Sequence, residues 1–466
     1  MSAPISRRRF LGQSACAGVG MTGLLSAMGT LRLFNASLSA QTLPEDYRTI
    51  ICLFLFGGND GNNMIVPRDT AGYNAYATAR GVLAIPQSSL LPITTPNSDG
   101  REYGLHPSMT RLQPIFNAGK MALLANVGTL VAPITKAEYL SGGAAVPPYL
   151  FSHNDQQGQW QTSVPDSTKK IGWGGRLADL TQSLNAGSQI SMNISLAGNN
   201  FFQVGNEVFQ YAMTPQGSVG LDDYKATWSP NPETYRALND TLGLSYSHLF
   251  EAQYANIVKR AIANDTFLTS TLATVPSYTD KFTHSVDGAG KITGIGNQLK
   301  MILRMISARS SLSMKRQIFF CSIGGFDTHD DQLNDHGVLL KQISDAVSDF
   351  YQGTVDLGVS DKVTLFTASD FNRTYSTNGK GSDHAWGSHQ FVVGGGVQGG
   401  QIYGSMPVLQ SGGPDDTGSR GAWIPTTSVD EYSATLARWF GVSSSNMPSV
   451  LPNIGRFSMP NMGFMG

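Results

Sequence analysis

Four short stretches gather carboxylates, imidazoles and carboxamides: GGNDGNN (57–63), GGFDTHDDQ (324–332), SDFNR (369–373) and DHAWGSH (383–389). Only 14% of the 466 residues are Asp, Glu, Lys or Arg, against roughly 25% in an average soluble domain, so the clustering is not a by-product of a charged surface. The groups with chemistry to offer are Asp60, Asp327, His329, Asp370, Asp383, His384 and His389. Carboxylate oxygen and imidazole nitrogen supplied together suit a divalent cation such as zinc or manganese, and harder ions such as calcium or magnesium where oxygen dominates. Two such clusters could clamp the attacking and leaving oxygens of an ester. Each residue also has a plainer role open to it. Asp60 could satisfy turn amides, Asp327 could cap a helix, and His384 and His389 could be loop histidines. Crowding Asp330 and Asp331 beside Asp327 costs repulsion unless a cation offsets it. Those two are expected to begin the following helix, where negative charge is favoured.

Something must bring these stretches together. Short apolar runs rich in β-branched and aromatic residues cover 49–56, 121–127, 189–196, 317–323, 362–367 and 390–393, and read as buried parallel strands. Between them, Leu333, Leu340, Ile343, Val347 and Phe350 fall on one face of a helix over 332–351, with His336 on its apolar side, and 431–440 reads as another helix. Alternating strands and helices predict an α/β fold with a mostly parallel sheet covered on both faces. About 198–306 is poorer in strands and reads as a helical insertion, with helices over 232–239, 247–263 and from Gln298. In open α/β sheets ligands bind beyond the carboxyl ends of the strands. Three of the four stretches directly follow a predicted strand, and the fourth precedes one. The loop SGGPDDTGSRG (411–421) reads as surface by composition.

Composition excludes several classes. Lys plus Arg (32) nearly balances Asp plus Glu (33), so there is no basic field for nucleic acid. Walker-type loops, C-x-x-C pairs, H-E-x-x-H and G-x-S-x-G elbows do not occur. The glycines of 394–399 match G-x-G-x-x-G, but a turn-like stretch follows where a dinucleotide site needs a helix. The first forty residues carry SRRRFL (6–11), a weakly apolar Gly/Ala-rich stretch and small residues ending at Ser39-Ala40. They read as a twin-arginine signal peptide, delivering the chain through the twin-arginine translocase to the periplasm or beyond. The alternative of a membrane anchor is disfavoured by Gly18, Gly20, Gly23, Gly29 and Arg32. Removing Arg7, Arg8, Arg9 and Arg32 leaves 28 basic against 33 acidic residues. No other stretch is long and apolar enough for a span, so residues 41–466 are expected to form one soluble domain. Cys52 and Cys321 sit inside apolar runs and are expected as buried thiols, a bridge between them being the alternative in an oxidising compartment.

Together with FSHNDQQGQW (151–160) and the extension DHAWGSHQFVVGGGVQGG (383–400), these motifs resemble the exported bacterial family of unknown function numbered 1501, grouped with the alkaline phosphatase and sulfatase superfamily. The resemblance spans about residues 48–440. It implies a three-layer α/β/α sandwich and metal-dependent hydrolysis of phosphate or sulfate esters. Under it, Asp60 matches the metal aspartate after the first strand, and Asp327 with His329 an aspartate–histidine motif. Asp370 matches the aspartate of an Asp-His pair, and His384 or His389 the late histidine. The chain departs from that pattern at Phe371, where a histidine is usual, and Asp383-His384 could supply the missing ligands. The superfamily nucleophile is a hydroxyl or modified cysteine near a helix start. Ser152 is the first candidate and Thr129 the second, although Ser152 could equally be an ordinary N-cap. No cysteine stands in a C-x-P-S-R context, which argues against a formylglycine sulfatase. Besides the ester hydrolase, two readings stay open: a non-catalytic, metal-containing protein of the cell envelope, and a metal-free hydrolase using Ser152 and His153.

Overall fold

The computed structural model describes residues 46–96, 100–221 and 232–466. The twin-arginine motif, the cleavage point and Cys16 lie outside the described residues. The frame of the sheet is six strands: β1 (Arg48–Leu55), β2 (Met121–Gly128), β3 (Asn193–Ser195), β4 (Arg316–Ile323), β5 (Val363–Ser369) and β6 (Ser388–Gly394). They lie side by side in the order β2-β6-β5-β1-β4-β3. β1 pairs in parallel with β5 and β4, and β4 with β3. Short strands extend both edges, Tyr211–Thr214 and Gly217–Ser218 on one side, Ile402–Tyr403 and Thr427–Ser428 on the other.

Alternation along each strand explains why two helical layers are required. On β1, Ile51, Leu53 and Leu55 enter one apolar cluster while Ile50, Cys52 and Phe54 enter the opposite one. A strand apolar on both faces must be covered on both. The first face is covered by α3 (Gly294–Ser307) and α4 (Gln332–Asp356), through residues such as Leu299, Ile302, Leu340, Ile343, Val347 and Phe350. The second is covered by α1 (His153–Thr162), α2 (Trp173–Thr181) and α5 (Val429–Phe440), through Trp160, Leu177, Leu436 and Phe440. Each fully buried side chain of this size is worth about 1.5–3 kcal/mol. The result is a three-layer α/β/α sandwich.

Three expectations are corrected. β6 is antiparallel to both of its neighbours, β5 and β2; an apolar run states burial but not direction. The strand expected over 189–196 is shorter, Asn193–Ser195, with the flanking Met192 carbonyl and Leu196 N–H still bonded to β4. Leu333 is exposed although it continues the apolar face of α4, because it lies in the first turn, beyond the sheet edge. Helices Pro232–Gly243 and Leu249–Ala273 do fill much of 198–306, but α3 at its end belongs to a core layer.

Cys52 and Cys321 are both free and buried. They sit on neighbouring strands but belong to opposite apolar clusters, so their side chains leave the sheet on opposite faces. Among the described residues, no helix is long and apolar enough to cross a membrane.

Candidate metal centre at the strand ends

Because β6 runs opposite to β1, β4 and β5, the residues before it reach the same sheet edge as the residues after the other three. β4 runs into Gly324 and Gly325 and then Asp327 and His329; β5 runs into Asp370 and Phe371; Asp383 and His384 lead into β6. Tight approach of the turns enforces the meeting. Gly57 has φ +115°, and a Cβ there would lie 2.4 Å from the Asp327 backbone nitrogen. Gly58, at φ +86°, would put one 2.6 Å from the Phe371 ring. Only glycine fits such positions without strain.

Three imidazoles converge on one carboxylate oxygen. From Asp327 Oδ1, the Nε2 atoms of His329, His384 and His153 lie 3.1, 3.3 and 3.5 Å away. The opposite nitrogen of each ring is tied down. His153 Nδ1 meets Asp370 Oδ2 at 2.6 Å, His384 Nδ1 meets the Phe151 carbonyl at 2.7 Å, and His329 Nδ1 meets Asp383 Oδ1 at 3.3 Å. A carbonyl or carboxylate oxygen only accepts, so each Nδ1 carries the proton and each Nε2 presents a lone pair to the centre. Carboxylates and carbonyls behind imidazoles are the usual support of metal-ligating histidines.

The donor set fits a cation. His329 Nε2 and His384 Nε2 face each other at 3.1 Å, and the Arg373 guanidinium stands 3.3 Å from the His329 nitrogen. Two ligands bonded at about 2.0–2.1 Å to one tetrahedral ion lie about 3.3 Å apart, and His153, Asp327 and His384 form the group close enough together to share one ion. His153 Nε2 and Asp370 Oδ1 are buried without a hydrogen-bond partner, a cost that a bound ion would relieve. The side chains of Asp327 and His329 are 48% and 45% exposed, so one side of the centre stays open to an incoming molecule.

Charge around the centre is ordered by Arg373. Its guanidinium is fully buried, donates to the carbonyls of Gly57, Gly58, Phe326 and Ser382, and pairs with Asp327. It therefore fastens the turns after β1 and β4 to the segment before β6. Burial alone would raise the Asp327 carboxyl, but the hydrogen bond and charge of Arg373 hold it below the usual range. Asp383 behaves alike, burial being outweighed by its pairing with Arg420. The hydrogen bond to Asp370 raises His153 against the effect of burial, whereas burial lowers His384 despite the Phe151 carbonyl.

The structure thus brings together His153, Asp327 and His384, with His329 at their exposed edge and Asp370 and Asp383 behind the rings. Two expected ligands lie outside this set. Asp60 caps the turn Gly61–Met64, accepting from the Asn62 backbone, and its buried carboxylate pairs with Arg80 and Gln332. His389 is buried in β6, its Nδ1 accepting from the Asn126 backbone at 3.1 Å, and burial pushes it down to about 4. Neither candidate hydroxyl bonds to the cluster. Ser152 is the N-cap residue of α1 and donates to Asp155 Oδ2 at 2.6 Å. Thr129 is buried and accepts from Gln156 Nε2 at 3.3 Å. Asp330 faces Lys380 and Asp331 is the N-cap residue of α4.

Sequence reasoning missed three residues here: His153 as a ligand, Arg373 as the fastening cation, and Arg420 of the 411–421 loop behind Asp383. Phe371 is not an empty ligand position but a wall, its ring 4.7 Å from His153 and 4.6 Å from His384. FSHNDQQ held the clue to His153, an imidazole on the first turn of a helix beside the other motifs.

An α/β/α sandwich with imidazoles and carboxylates converging at its strand ends defines a class of chains able to hold a cation at that edge. The chain belongs to the family described as Protein of unknown function (DUF1501), which it matches over residues 47–418. None of the curated proteins matches it by sequence. Among solved structures it is similar to Ps i-CgsB, at 11% identity and TM-score 0.34 over 89% of this chain and 78% of that one. It is similar also to the sulfatase PsFucS1 from Pseudoalteromonas sp., at 11% identity and TM-score 0.34 over 91% and 72%. A third is the phosphonate monoester hydrolase SpPMH from Silicibacter pomeroyi, at 6% identity and TM-score 0.33 over 87% and 76%.

Proposed function

We propose that this chain is an exported, metal-dependent hydrolase of phosphate or sulfate esters. The observation that carries the reading is the convergence of His153, His329 and His384 on Asp327 Oδ1, each ring held by its Nδ1. A divalent ion there would supply Lewis acidity toward an ester oxygen. The chain's own residues hold and shape the site. Asp370, Asp383 and the Phe151 carbonyl fix the rings, Phe371 excludes water from one side, and the exposed edge of Asp327 and His329 admits the ester. Ser152, at the N-terminus of α1, is the hydroxyl for attack: its Oγ would bond the phosphorus or sulfur as the ester's alcohol leaves, Asp155 Oδ2 being placed to take the hydroxyl proton and return it to the alcohol, and water would then release the phosphate or sulfate from the serine.

A second reading, a metal-containing envelope protein without catalysis, is favoured by the absence of any hydrogen bond between Ser152 or Thr129 and the cluster among the described residues. Elemental analysis followed by a panel of aryl phosphate and sulfate esters separates the two. Turnover that Ser152→Ala and chelation both abolish supports the hydrolase; bound metal without turnover supports the second reading. SRRRFL motivates export by the twin-arginine route, and N-terminal sequencing of secreted protein that still begins before Arg7-Arg8 would contradict it.

A further inference from the structure

Beside the imidazole cluster lies a cavity of about 750 Å³ whose lining is unlike the rest of the site. It falls within the roughly 300–1,000 Å³ typical of small-molecule sites. Asn154, Gln157 and Gln161 of α1 line one wall, spaced so that they share a helix face. Gln157 belongs to both places, its Nε2 donating to Asp370 Oδ2 at 2.8 Å, and Asn154 directly follows His153. The lining also carries Phe201 and Phe209, which are 38% and 65% exposed. Lys170 Nζ stands 5.0 Å over the Phe201 ring.

Solvent-facing aromatic rings together with carboxamides are a combination with a narrow chemical use. A sugar ring has an apolar face of C–H groups that stacks on an aromatic ring. Its vicinal hydroxyls each donate and accept, as a carboxamide does in one plane. Gln161 Oε1 already accepts from the backbone of Phe201 and Phe202, which fixes the amide and leaves its Nε2 to donate. Gln157 is fixed in the opposite sense, its Nε2 bonded to Asp370 and its Oε1 left to accept. A hydrophobic ligand would leave these amides unpaired, at about 1–3 kcal/mol each. A bare inorganic ester would leave the aromatic rings unused.

We propose that this cavity holds a sugar ring, so that the substrate is a glycan carrying a phosphate or sulfate ester, with Lys170 placed for a further anionic group on the chain. The substrate assignment rests on the ester-hydrolase reading, whereas sugar binding itself does not. The test is binding of the metal-loaded protein to a printed array of neutral, sulfated and phosphorylated oligosaccharides, with affinities of the bound members measured by calorimetry. Wild type before and after chelation is expected to bind the same oligosaccharides, while Phe209→Ala weakens them at least tenfold and Lys170→Ala weakens the anionic ones selectively. Phe209 is exposed, so its truncation leaves the fold intact, which an unchanged melting temperature verifies. No bound oligosaccharide in the wild type, or equal affinity in Phe209→Ala, overturns the proposal. Binding lost on chelation but kept in Phe209→Ala also overturns it, because the ester alone would then be recognised. Sugar binding without ester turnover leaves the cavity assignment standing and removes the hydrolase reading.

Discussion

Asp327 Oδ1 is shared by three imidazoles and a buried guanidinium, which makes the consequences of single substitutions at this edge distinct from one another. Removing a ligand, as in His153→Ala or Asp327→Asn, should abolish metal retention. Removing the support behind a ligand should only weaken it: Asp370→Asn is expected to lower metal affinity about 10–100-fold, read by competition with a chelating dye. Asp331→Asn touches only the N-cap position of α4, and should leave metal content unchanged. Arg373 is different again, because its loss strands four backbone carbonyls and the Asp327 carboxylate. Arg373→Met, which leaves those carbonyls unpaired, should cost about 1–3 kcal/mol in denaturant unfolding, with or without metal. Equal stability of the variant and the wild type would show that the guanidinium does not fasten these turns.

At the scale of elements, the ends of α5 and β6 carry the instructive cases. Asp430, in the first turn of α5, is almost fully buried, and burial raises its carboxyl to about 7 against the lowering effects of Ser163 and Arg176. Its unfolded value is near 3.9, so the folded state binds the extra proton between those values. Stability is therefore whole below about pH 4, falls as pH rises, and has lost the full amount above about 7. Asp430→Asn keeps the shape without the charge, and should gain about 2–4 kcal/mol at pH 8.5 while changing little at pH 4. An equal effect at both pH values in urea melts would contradict that. β6 shows what a sequence can and cannot tell. Six apolar runs announced the strands, because burial on both faces leaves an unbroken apolar signature. The direction of β6 left no such mark, since antiparallel pairing inside a covered sheet uses the same residues. The site was legible to the same degree. Asp327, His329 and His384 stood out as polar clusters at strand ends, but His153 opens a helix rather than following a strand, and only its place beside the other motifs marked it. Asp60 misled because an aspartate before a helical turn looks the same whether it caps that turn or binds an ion; only the partner 20 residues on, Arg80, decides.

For the molecule as a whole, the two apolar faces of the sheet set what redox chemistry and ion binding can do. Cys52 and Cys321 face opposite layers, and burial raises both thiols. They should react with a thiol reagent only after unfolding, and a reductant should leave the melting temperature unchanged. A melting temperature lowered by reductant would require a bridge that the sheet geometry does not permit. Ion binding joins turns from β4, the segment before β6 and the start of α1, parts of the chain far apart in sequence. Metal should therefore stabilise the fold by mass action, and chelation should lower the melting temperature. The most direct measurement is the metal content of the purified wild-type chain beside His153→Ala. About one divalent ion per chain is expected in the wild type and almost none in the variant. A wild-type chain free of metal, or a variant that keeps its ion, would contradict it.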